Sequence, residues 1–252
     1  VYGVHFDGGA NEVIFKNCTF SGFNAIGGAI TKATYEGCTF KSNGKSGYNG
    51  INMWGTTEMT NCTFVFDGST TEWIDACGNN KTYTFTNCVV TDGQTEKGVE
   101  TVIGDYGTGN TVTVNGVRLV HSNANLKAAV AAGATKVMLA DGEYDLNGNQ
   151  KDGLTLVGVG SNVKVANTTK YASGKAIGAI WQAINLENVT ITNTVYTMAD
   201  GGKATFTNVN FAAGFREGYG TGVVFTNCTF GANSEGYALH FQTDSASEGG
   251  LI

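Results

Sequence analysis

Read for its alternation of apolar and polar positions, the chain repeats one short phrase. The segment VIFKNCTF at residues 13–20 returns as ATYEGCTF, TEMTNCTF, YTFTNCVV, ATFTNVNF and VVFTNCTF, with VTVNGVRL and NLENVTIT as looser copies. One aligned column holds only Asn or Gly: Asn17, Gly37, Asn61, Asn87, Gly116, Asn188, Asn208 and Asn227. These residue types tolerate left-handed backbone, so the column predicts a sharp turn between two short strands. The next column reads Cys18, Cys38, Cys62, Cys88, Val117, Val189, Val209 and Cys228, and two residues on come Phe20, Phe40, Phe64, Val90, Leu119, Ile191, Phe211 and Phe230. Side chains two apart on a strand share a face, so both columns are expected inside. The residue between them is mostly Thr and is expected outside.

Successive turn residues are 20, 24, 26 and 29 positions apart in the first stretch and 20 and 19 apart in the last. A repeat of that length is the mark of a solenoid in which each coil stacks on its neighbour. The pattern predicts an all-β chain folded as a right-handed parallel β-helix, with like residues of successive coils in contact. The composition agrees: 37 glycines and no proline suit a fold with many tight turns and unbroken ladders.

Five of the six cysteines share the inward column. A disulfide framework does not place its members at identical repeat positions, so buried free thiols are expected. No CxxC or CxxH spacing occurs, and no metal site is expected from the cysteines. The NCT and NVT triplets match glycosylation sequons, but their Asn is already explained by the turn.

One segment breaks the strand pattern. SNANLKAAVAAGATKVMLADGEYDL has an N-cap in Ser122 or Asn123, an alanine-rich run and Gly133 as a helix stop, which predicts a short α-helix near residues 123–133. Strands follow, the first leading into a turn of Asp141, Gly142, Glu143 and Tyr144. Here the chain resembles the pectate-lyase-like β-helix superfamily, in which a short amphipathic helix plugs the open end of the solenoid just before a strand and a DGxY-type turn. The resemblance spans nearly the whole chain, but its motifs are architectural. In this chain the helix sits mid-sequence, so residues 1–120 have the character of later coils and residues 121–252 that of early ones. Three organisations remain open: one continuous solenoid with a helical insertion, two half-solenoids about a helical boundary, or a circular permutant. The last strains geometry, because about five residues reach about 17 Å whereas eight coils span about 38 Å.

A net charge of −6, with Arg118 and Arg216 as the two arginines and no basic run, argues against a nucleic-acid partner. No apolar run is long enough for a membrane-spanning helix, and the first residues lack the charged-then-apolar order of a signal peptide.

The candidate chemistry lies in a second strand of each coil. Setting YGVHFDG, YNGINMWG, TEWIDACG, ETVIGDYG, GAIWQA and YALHFQTD in one register brings His5, Asp7, Asn52, Trp54, Trp73, Asp75, Asp105, Trp181, His240 and Gln242 to or near one outer sheet. Aromatic faces beside Asp, Asn and Gln are what a sugar ring needs: a stacking platform and oriented hydrogen bonds. The sequence is therefore read as a secreted or cell-surface module that binds an extended polysaccharide or cell-surface glycan, without a cofactor. The resemblance implies an alternative, a polysaccharide lyase or hydrolase working on the outer face. Hydrolysis would need a carboxylate pair such as Asp75 with Asp105 or Asp7. Lyase chemistry would draw on Arg216, with calcium as a possible cofactor. A third expectation is a structural protein that self-associates end to end through its open coil edges.

Overall fold

Every member of the Asn/Gly column has a positive φ, from 51° at Asn87 to 79° at Gly116. At Asn17, Gly37 and Asn61 the turn residue still donates its backbone N–H to the next coil, at 2.8 to 2.9 Å. The corner is thus made without interrupting the ladder. The computed structural model describes residues 2–5, 11–26, 30–41, 50–66, 73–169, 178–197, 203–217, 222–234 and 236–241. They fall into two units, Val1–Leu119 and Val120–Ile252, which together hold about nine turns of parallel β-solenoid.

The first unit has three parallel sheets. The front sheet runs Tyr2–His5, Phe23–Ile26, Gly50–Met53, Trp73–Ala76 and Ile103–Asp105. The second begins Glu12–Lys16, Lys32–Glu36, Thr56–Thr60, Thr82–Thr86 and Thr111–Val114, and the third Thr19–Ser21, Thr39–Lys41, Thr63–Val65 and Val89–Thr91. The inward columns stack as the repeat requires. Phe20, Phe40 and Phe64 lie ring on ring with centroids 5.2 Å apart, and Cys38, Cys62 and Cys88 are buried and free.

The cysteines have a second role beyond filling space. Cys38, Cys62 and Cys88 each point the thiol at a carbonyl of the preceding coil, those of Phe15, Tyr35 and Met59, at 3.5 to 3.6 Å. A small apolar group with a weak donor suits that position.

One repeat copy is not a coil. In VTVNGVRL both Asn115, with φ 50°, and Gly116 are left-handed. Thr111–Val114 and Val117–Val120 pair antiparallel, with Val114 opposite Val117. This is a two-residue hairpin, for which Asn-Gly is the favoured pair. One left-handed residue turns the corner between two parallel ladders, whereas two in succession reverse the chain. A second antiparallel strand, Glu96–Gly98, lies against Val89–Thr91. The last strand of the second and of the third sheet is thus paired rather than left as an open edge.

The second unit starts with the helix α1, Asn123–Ala131. Ser122 is its N-cap, accepting a hydrogen bond from the Asn125 N–H at 3.2 Å, and Gly133 takes the left-handed position after it with φ 88°. Leu126 and Ala129 enter a core of Val120, Leu139, Tyr144, Leu146 and Leu154, so the helix covers the first coil. The Tyr144 hydroxyl lies 2.8 Å from the Val120 carbonyl and 3.0 Å from that of Ala140, tying the DGxY turn to the base of the helix. Parallel coils follow, with Phe211 on Phe230 at 5.0 Å and Phe206 on Phe225 at 5.5 Å.

Candidate functional site

In the front sheet of the first unit the pleat decides what faces outward. Ile51, Met53, Ile74, Ala76 and Ile103 are buried, so the residues between them, Asn52, Asp75 and Gly104, face away from the core. The ladder sets Asn52 opposite Asp75 and Asp75 opposite Gly104. Toward the start of the sheet the register sets Ala25 opposite Asn52 and His5 opposite Ala25.

A second row lies two residues further along each strand. Trp54, Cys77 and Tyr106 each follow the last ladder residue of their strand, and the Cys77 and Tyr106 N–H groups donate to the carbonyls of Met53 and Ala76, at 2.8 and 3.0 Å. Glycine follows each of them. A Cβ on Gly107 would lie 1.8 Å from the Gly78 carbonyl oxygen, so only glycine lets the coils stack this closely at the corner. Trp54 and Tyr106 are exposed, at 44% and 67%, with the small Cys77 between them.

Asp75 is the unusual group on this face. Its Oδ1 is buried and has no hydrogen-bond partner. A Cβ on Gly104 would come within 3.0 Å of that oxygen and 2.8 Å of the Tyr106 ring. The absent side chain at 104 thus makes room for the carboxyl and the ring together. Burial pushes the Asp75 acid up to about 6. Burial, followed by the nearby Asp75 charge, likewise raises the thiol of Cys77 to about 11.

Asp75 and Asp105 do not share one face of the sheet. Asp105 lies opposite Ala76, one step out of phase with Asp75, so the pleat turns it to the interior side of the sheet. There it accepts a hydrogen bond from the Asn110 Nδ2 at 2.8 Å. Asn110 is itself buried and bonded to the Gly78 carbonyl and the Lys81 N–H. Asp105 is therefore part of a structural network, and Asp75 stands without it. Asp7 and Gln242 lie outside the described residues. His5 and Trp73 are placed by register alone, His5 at the end of its strand and Trp73 opposite Gly50.

The remaining candidates belong to a different sheet. In the second unit Gly178–Ile180, Val195–Thr197, Phe215–Glu217 and Leu239–Phe241 form one ladder. Its row of Ala179, Tyr196, Arg216 and His240 alternates with Val195 and Phe215, which enter the core; Ala179 and Tyr196 are themselves buried, and Arg216 and His240 are partly exposed. His240 stacks on Tyr237 at 4.8 Å. Trp181 is exposed, and its backbone N–H donates to the Gln150 Oε1 at 2.9 Å. The single outer sheet read from the sequence is thus two sheets, one in each unit, with Trp54, Trp73, Asn52 and Asp75 in the first and Trp181, Arg216 and His240 in the second.

Tyr106 was not among the candidates from sequence. The signal was present, since MWG, ACG and DYG end the three strands in the same way. Among the described residues no group of three or more His, Cys, Asp or Glu is placed to hold a metal ion, and no helix is long and apolar enough to cross a membrane. No protein-family model, curated protein or solved structure matches the chain.

Proposed function

We propose that the front sheet of the first unit is a recognition surface for an extended, uncharged glycan. The observation that carries this reading is the unpartnered Asp75 carboxyl oxygen, set beside Asn52 and flanked by the exposed rings of Trp54 and Tyr106. A buried polar atom without a partner costs stability and calls for an explanation, here a hydrogen bond supplied from outside the protein. Sugar hydroxyls are donors as well as acceptors and suit both Asp75 and Asn52. The apolar faces of sugar rings suit Trp and Tyr. The resemblance of the capping helix and the Asp141 to Tyr144 turn to the pectate-lyase-like superfamily fits a polysaccharide partner. The reading is one of binding without bond cleavage, because Asp75 has no second carboxylate from Asp105 across the sheet.

The net charge of −6 sets the class of glycan. Strongly acidic polymers are repelled unless cations bridge them. Affinity electrophoresis through gels containing soluble neutral polysaccharides tests the proposal. Wild-type protein is expected to be retarded, and Trp54→Ala to be retarded much less, with an unchanged circular-dichroism spectrum. Free migration of wild type through every polysaccharide would overturn it. Growth of reducing ends or unsaturated products in the gel would instead favour the enzyme.

A further inference from the structure

Resting on that reading, we infer that the polymer lies along the solenoid axis, across the strands, with one sugar ring on Trp54 and the next but one on Tyr106, as a flat 1,4-linked β-hexan would. The argument is one of spacing. Along any single strand this face offers one aromatic residue, whereas across the strands the column Trp54, Cys77 and Tyr106 offers two. Successive rungs of a sheet are about 4.8 Å apart, so the two platforms are separated by about 9.6 Å. A ring in a fully extended 1,4-linked β-chain advances by roughly one rung, and its neighbour is flipped over. Two rings therefore bring the same face back after two rungs. The small Cys77 leaves a trough for the intervening ring.

The polar row then meets that middle ring. Asn52, Asp75 and Gly104 run parallel to the aromatic column on the same three rungs, two residues back along each strand. Two residues of strand span about 6.6 Å, and the Tyr106 ring leans back across that distance to Gly104, so its platform lies next to the polar row. Asp75, on the central rung, is positioned to take a hydroxyl of the middle unit. Neither row contains a cation, which leaves an acidic sugar without a counter-charge at this position. Polymers that coil, such as 1,3-linked β-glucans or 1,4-linked α-glucans, turn a third ring out of the plane of the two platforms.

Calorimetric titration of neutral β-1,4-linked oligosaccharides of two to six rings, at pH 5, tests this. β-1,3-linked and α-1,4-linked oligomers of the same lengths serve as comparison. Affinity is expected to climb about tenfold between two and four rings of the β-1,4 series and then to level off, each tenfold being a single platform gained. Tyr106→Ala is expected to erase the climb, so that four rings bind no more tightly than two, while Tyr106→Phe keeps it. Equal binding of the three linkages, absence of a length step, or a full step in Tyr106→Ala overturns the axial arrangement while leaving glycan binding intact. Failure of every oligomer and every linkage to bind overturns the recognition reading beneath it.

Discussion

Asp75 lies directly opposite Gly104 in the front sheet, and the carboxyl group occupies space that any larger residue at 104 would contest. The ladder partner of Asp75 is thus the residue that allows an acid to be buried on an outward face. Its burial carries a consequence for stability.

The folded-state pKa of Asp75, about 6, lies above the value of about 3.9 for an unfolded aspartate. Between those values the folded chain holds a proton that the unfolded chain has released. Stability from this group is therefore full below about pH 4, declines as pH rises toward 6, and stays lower beyond it. Asp75→Asn remains neutral throughout. With the shift discounted for the exposed part of the side chain, the variant is expected to gain about 1 kcal/mol on wild type between pH 4 and pH 7.5. Urea midpoints of both proteins at the two pH values check this, and parallel pH dependence would show that Asp75 is not held protonated.

The turn column makes a stability claim of a different kind. Asn61 has φ 53°, where a β-branched side chain is strained. Asn61→Val is expected to lose about 1 to 3 kcal/mol, and Asn61→Gly to change little. Thermal denaturation of the pair is the check, and coincident midpoints would contradict the turn.

Thiol accessibility should follow position in the stack. Within the inward column Cys38, Cys62 and Cys88 are buried, whereas Cys18 and Cys228 are partly exposed; Cys77, outside the column, is also partly exposed, but burial and the Asp75 charge raise its thiol to about 11 and slow its reaction. Under native conditions a thiol reagent followed by peptide mass mapping is expected to modify Cys18 and Cys228 first. The three buried cysteines should react only on unfolding, and their early modification would place the column outside.

Much of this fold was legible because the repeat states it several times over. Asn17, Asn61, Asn87, Asn188, Asn208 and Asn227 all gave the corner, and Phe20, Phe40 and Phe64 the stack, since each column is set by one local conformation. Asn115 and Gly116 were misleading for the same reason. Aligned to the repeat, Gly116 took the turn column and concealed that its neighbour is also left-handed, which makes a hairpin. The site was less legible because a single step of register changes the face of a strand. Asp105 occupies the position of Met53 and Ala76, both buried, and the alignment of DYG with MWG and ACG contained that information. An acid at that position breaks the apolar pattern that marks the inward column, and so hides the inward turn of Asp105 and the outward turn of Tyr106 after it. Membership of one sheet or two was not legible, because the two sheets carry similar strands at similar spacing.

The most direct test of recognition by the front sheet is chemical-shift mapping of the isotope-labelled protein during titration with a neutral β-linked tetrasaccharide. The expected result is progressive, saturable movement of the signals of Asn52, Trp54, Asp75, Cys77 and Tyr106, with the Tyr196, Arg216 and His240 row unmoved. Saturable shifts confined to that second row, or none at saturating sugar, would contradict it.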